Sequence, residues 1–78
     1  MQLPYDVGKH YNITVCRDVI IPLVDGPEER DISLTTGQQF TGHFVSMTRG
    51  SELRVFSIDG LGGKLYFNKG EISAFPVK

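Results

Sequence analysis

Few side chains in this sequence are equipped to act on anything, and their spacing limits what they can do. Cys16, His10 and His43 are the nitrogen and sulfur ligands. A tetrahedral zinc site draws its ligands from close pairs along the chain. These three stand singly, so no metal site is expected. Cys16 is the only cysteine, which excludes an intrachain disulfide. No paired histidine or basic helix end activates its thiol, and it reads as a small core or interface residue. His43, beside Gly42, reads as a partly exposed strand residue. Asp59-Gly60-Leu61-Gly62-Gly63 is glycine-rich but lacks the Lys-Ser/Thr and following helix of a phosphate-binding loop; it reads as a hairpin turn. Asp25, Glu28, Glu29 and Asp31 form a solvated acidic turn. No Ser/His/Asp set has a recognisable local signature. The expectation is a protein that is not an enzyme, with no catalytic residues and no cofactor.

Seventy-eight residues make a single domain, 1–78. A chain this short buries only about 60% of its unfolded surface, and such chains gain stability from disulfides, metals or self-association. With the first two set aside, self-association remains. The net charge of −1 is not the footprint of a protein that grips duplex phosphates by bulk electrostatics. Any nucleic-acid binding must use a local patch and contacts to bases. The start of the chain has neither the basic residues nor the apolar stretch of a secretory signal. The apolar run Val19-Ile20-Ile21-Pro22-Leu23-Val24 is far short of the roughly 20 residues that span a bilayer. A soluble, cytoplasmic protein without membrane contact is expected.

The elements that must position these side chains read as strands. Residues 1–9 show no period and are expected to be a loosely held arm. Residues 11–16 alternate apolar and polar side chains, a strand signal. Residues 19–24 are rich in β-branched side chains, with Pro22 pointing to an edge or a bulge. Residues 25–30 are a charged turn. Beyond it Ile32 and Leu34 share a face, and Thr36-Gly37 turns the chain. Phe40, Gly42 and Phe44 then share a face until the apolar phase shifts to Val45 and Met47. A glycine at such a shift predicts a bulge or barrel bend. Residues 48–52 are a polar loop, 53–58 a strand buried on both faces near its end, 64–68 and 71–75 two further strands. The very short Asn68-Lys69-Gly70 connection favours a small SH3-like barrel over an OB barrel.

Two signatures carry a family resemblance. Gly37, Gly42 and Phe44 match the first half of a bipartite pattern: a turn glycine, a second glycine about five residues on, then an apolar residue. Tyr66-Phe67, Lys69-Gly70 and Ile72-Ser73 match its second half, an apolar strand, a basic-Gly corner and a closing strand. In this order residues 31–76 resemble the Sm-like family, and the Lys-x-x-Ile-Ser arrangement resembles its bacterial host-factor branch. The resemblance implies an all-β, strongly bent five-stranded barrel over 31–76, with 1–30 a divergent N-terminal extension contributing an extra strand. It implies a homo-oligomeric ring in which the fourth strand of one subunit pairs with the fifth of the next. That places Leu65, Tyr66, Phe67, Ile72, Ser73, Ala74 and Phe75 at the subunit interface. It also implies binding of single-stranded RNA around the pore, with Thr48, Arg49, Glu52, Lys69 and Gly70 as the contacts.

This chain departs from the family where bases are read. Thr48 stands where the family has an Asp, and Glu52 where it has an Asn. No aromatic residue lies in 48–52, and Glu52 repels phosphate unless Arg49 or Arg54 neutralises it. The family's opening helix is replaced by residues with strand period. The alternative reading is a structural or protein-interaction ring that keeps the fold without binding RNA and recruits a protein partner through an acidic surface of Asp25, Glu28, Glu29, Glu52 and Glu71.

Overall fold

The computed structural model describes residues 3–77. Seven strands form one antiparallel sheet: β1 (His10–Val15), β2 (Val19–Asp25), β3 (Glu28–Leu34), β4 (Gln39–Met47), β5 (Arg54–Ile58), β6 (Lys64–Phe67) and β7 (Ile72–Pro76). Their spatial order is β3-β2-β6-β5-β4-β1-β7, and there is no helix among the described residues. Hence none is long and apolar enough to cross a membrane. The all-β expectation holds, but the five strands expected over 31–76 do not pair among themselves as a unit: among the described strands β3 pairs with β2 alone, and β1, read as part of an extension, pairs with β4. β1 lies inside the sheet between β4 and β7, and the β2–β3 hairpin adds to the far side of β6.

The period-two pattern explains the strands. Tyr11, Ile13 and Val15 of β1 are buried, and Asn12 between them is exposed. Ile21 and Leu23 do the same for β2. Pro22 sits opposite Asp31 of β3, in the part of β2 that β6 does not reach, since the β2–β6 ladder is confined to Leu23 and Val24. A residue without an N–H is tolerated there because that side of the strand needs no donor.

One continuous row of buried side chains crosses the sheet. Phe44 pairs with Phe56, Phe56 with Leu65 and Leu65 with Leu23. All four are essentially inaccessible to solvent. A flat seven-stranded sheet would be about 29 Å wide and about 10 Å thick, whereas the molecule measures 28 × 27 × 23 Å. The sheet is therefore strongly curled. Leu34 of β3 and Ile72 of β7, at opposite ends of the strand order, belong to the same buried cluster.

Curling has a local cause in β4. The register with β5 slips between Phe44 and Ser46, leaving Val45 as the extra residue of a bulge. The phase change read at Gly42 is thus made two to three residues later. Gly42 serves a different need: a Cβ there would lie 2.5 Å from the Ser57 carbonyl oxygen and 3.0 Å from Ile58 Cδ1. The backbone of β5 approaches too closely for any side chain.

The N-terminal arm is docked, in contrast to the loose arm expected; its Met1 and Gln2 lie outside the described residues, as does Lys78. Tyr5 packs against Tyr11, Phe44 and Phe56 with ring centroids 5.2, 5.4 and 5.5 Å apart. The Gly8 N–H donates to the Phe44 carbonyl at 2.8 Å, and the Asp6 N–H donates to the Tyr11 hydroxyl at 2.9 Å. The aromatic contacts supply apolar burial, and the hydrogen bonds satisfy the backbone that an extended arm would otherwise present to solvent.

Candidate functional site

Strand register places residues 48–53 and 68–71 side by side. Met47 pairs with Arg54 and Arg54 with Phe67, so the β4–β5 loop and the β6–β7 turn leave the same end of the sheet. This brings the residues read as RNA contacts, Thr48, Arg49, Glu52, Lys69 and Gly70, to one end of the molecule. They are not equally free. The Thr48 hydroxyl accepts a hydrogen bond from the Leu53 N–H at 2.9 Å and lies 2.9 Å from Ser51 Oγ, so it closes its own loop. Arg49, Lys69 and Gly70 are exposed. Glu52 adopts a left-handed backbone, φ 54°, and its carbonyl accepts a hydrogen bond from Arg54 Nη1 at 2.7 Å. Arg54 therefore holds the Glu52 main chain. Among the described residues no salt bridge forms to the Glu52 carboxylate.

Arg54 also lines a cavity of about 270 Å³ with Pro4, Tyr5, Asn68, Lys69, Gly70 and Ile72. Sequence reading passed over Tyr5 and Arg54 as site residues, because one lies in the arm and the other reads as strand. Burial raises the Tyr5 hydroxyl's pKa above its ordinary value, and the nearby Arg54 charge opposes that rise. The phenol is neutral at physiological pH. The corner is tied by two hydrogen bonds: the buried Glu71 carboxylate accepts one from the Asn68 N–H at 2.5 Å, and the Glu71 N–H donates to the Asn68 carbonyl at 3.2 Å.

The residues read as subunit interface divide sharply. Leu65, Phe67 and Ile72 are buried in the chain's own core. Tyr66, Ser73 and Ala74 are half-buried, and Phe75 is 65% exposed. β7 pairs with β1 alone among the described strands, whereas β6 pairs with β5 and, at Lys64 and Leu65, with β2.

A second cluster lies beyond the other end of β5. His10 and His43 are direct cross-strand partners in the β1–β4 ladder, with parallel rings 4.3 Å apart. Asp59, just after β5, reaches both. His10 Nε2–H donates to Asp59 Oδ2 at 2.5 Å, and His43 Nδ1 lies 3.9 Å from Asp59 Oδ1. The Thr41 hydroxyl donates to Asp59 Oδ2 at 2.7 Å, and the Asp59 N–H donates to the Thr41 carbonyl at 2.9 Å. The Thr41 hydroxyl, and after it His10, holds the Asp59 pKa below the ordinary aspartate range. No chain spacing announces this cluster; only the pairing of His10 with His43 does. A Thr-x-His alternation in β4, which puts Thr41 and His43 on one face, is its single local trace.

No family model, curated protein or solved structure significantly matches this chain.

Proposed function

We propose that the protein binds single-stranded RNA at the end of the sheet formed by residues 48–53 and 68–71, as a homo-oligomeric ring of the Sm-like kind. The observation that carries this reading is the cavity shared by Arg54, Lys69 and Tyr5. Two cations suit phosphate oxygens, and a neutral phenol ring suits the face or edge of a base. A local patch of this kind is what a chain of net charge −1 requires. Taken alone, β1, β4, β5 and β6 lie side by side in chain order and β7 returns to pair with β1, which is compatible with a small SH3-like barrel extended by the β2–β3 hairpin. In a ring, a neighbour docks on the open edge of β7, beside Ser73, Ala74 and Phe75. The β6 half of that joint is confined to Tyr66 and Phe67, since β2 takes Lys64 and Leu65.

Fluorescence anisotropy of labelled oligo-U and oligo-A at low salt tests the binding. Each neutralised phosphate on a single strand contributes a slope of about −0.7 in log K against log salt. Two cations give about −1.4, and Lys69→Ala should reduce the magnitude by about 0.7. Absence of binding to either oligomer below the micromolar range overturns the RNA reading; a monomer in light scattering overturns the ring.

The hairpin between β2 and β3 favours a second reading, a protein-interaction ring. Asp25, Glu28 and Glu29 are exposed and, with Leu23 and Arg30, line a cavity of about 360 Å³. Glu71 does not add to this acidic surface, because it is only 8% exposed. A partner retained after nuclease treatment and lost in Glu28→Lys supports this reading over the first.

A further inference from the structure

The outer face of β1 and β4 carries a chemistry that the RNA reading does not use. We propose that His10, His43 and Asp59 form a binding site for a borderline divalent transition cation of the zinc class. One ligand atom from each of the three lies within 4.8 Å of the others. All three side chains are 41–48% exposed, so an ion reaches them from solvent. Two imidazole nitrogens and one carboxylate select zinc, copper, nickel or iron over calcium and magnesium, which prefer oxygen throughout.

The strand pairing and the Asp59 carboxylate are set before any ion arrives. Cross-strand pairing sets the separation of the two histidines, and residues opposite one another on a shared sheet face are near neighbours. Asp59 is fixed twice by Thr41, through its backbone N–H and through its carboxylate. A threonine in that position orients a ligand carboxylate without competing for the metal. Zinc bonds of 2.0–2.1 Å at tetrahedral angles set donor atoms about 3.3 Å apart. The observed separations run to different carboxylate oxygens, 2.5 Å from His10 Nε2 to Asp59 Oδ2 and 3.9 Å from His43 Nδ1 to Asp59 Oδ1, so the donors stand near that spacing without yet forming one set. The two imidazole planes are parallel, and an ion must lie in the plane of each ring that binds it, so at least one ring turns out of the stack on ligation. Ligation replaces the His10 Nε2 proton that now bonds Asp59, and three protein ligands leave a coordination position for water.

Titration calorimetry with zinc chloride, in a buffer that does not chelate, tests the site on the whole chain. Saturable uptake of one ion per chain is expected. Loss of a partner that merely supports a ligand costs roughly tenfold or more in metal affinity. His43→Asn and Asp59→Asn should each cost at least that, while Cys16→Ser leaves binding unchanged. Circular dichroism of the metal-free variants checks the fold, and His10→Gln gives the same reading should His43→Asn fail to fold. No saturable uptake, affinity unchanged in the histidine and Asp59 variants, or loss on Cys16→Ser overturns the proposal.

Discussion

β5 has two unlike ends. At Arg54 it meets a polar loop and a lysine–glycine turn whose chemistry is cationic and beside an aromatic ring. At Asp59, about 17 Å further along an extended chain, it meets two stacked imidazoles and a carboxylate. The first end is assembled from residues that also mark its motif, Lys69-Gly70 above all. The second is assembled entirely by register, from residues in β1, β4 and the turn after β5. The difference teaches where a small sheet hides chemistry: turns advertise themselves in local composition, and ladders do not.

Breaking the strand between the two ends should abolish both. Phe56 is fully buried at the centre of the row Phe44-Phe56-Leu65. Phe56→Ala removes its ring contacts with Tyr5, Tyr11, Phe44 and Phe67 and should cost about 3–5 kcal/mol. Urea denaturation measures the loss, and an effect below about 1 kcal/mol contradicts this packing.

A milder change should separate the ends. Gly42 pairs with both Tyr11 and Ile58, next to His43 and one residue from Asp59's anchor, Thr41. Gly42→Ala forces a Cβ against the Ser57 carbonyl and should destabilise by about 1–3 kcal/mol. Amide exchange should quicken first around Tyr11, His43 and Asp59, sparing Leu53 and Asn68. Uniform quickening, or none, would refute that separation.

Thr48→Val acts on the opposite end. It leaves the Leu53 N–H without its side-chain acceptor and should cost about 1 kcal/mol. The imidazole resonances of His10 and His43 in a proton NMR spectrum should stay where they are; movement there would mean that the ends are coupled through β5.

The smallest effect is expected from a group that serves neither end. Asp18 accepts hydrogen bonds from the Thr36 N–H and hydroxyl at 2.8 and 3.0 Å, and the backbone bond, then the hydroxyl, lowers its pKa. A lowered folded-state pKa contributes stability above the unfolded value, and that contribution is lost as pH falls through the folded value. Melting temperatures should therefore fall less steeply below about pH 4 in Asp18→Asn than in the unaltered protein. Parallel pH profiles would discount the Thr36 contacts.

Much of the sheet was legible because period two survives in β1, β2 and β4, where one face is buried and the other wet. The bulge was legible in kind but not in place, since Gly42 and Val45 both disturb the pattern and only the ladder says which residue is extra. The arm at Tyr5 misled for a different reason: a single aromatic plug needs no periodicity. Lys69 was legible as an exposed corner residue through its turn. Arg54 looked like any strand residue, and Glu71, counted with the surface acids, turned inward to bond the Asn68 N–H. His10 and His43 stood apart as single letters until antiparallel pairing set them face to face.

One wall of the cationic cavity is built from Pro4 and Tyr5, which belong to a segment pinned by the Gly8 and Asp6 amides. Any occupant therefore meets a complete recess only in that fraction of molecules whose leading segment is seated, and its apparent affinity scales with that fraction. Unseating it, by protease or by a substitution at Tyr5, should weaken the proposed capture without touching a single cation.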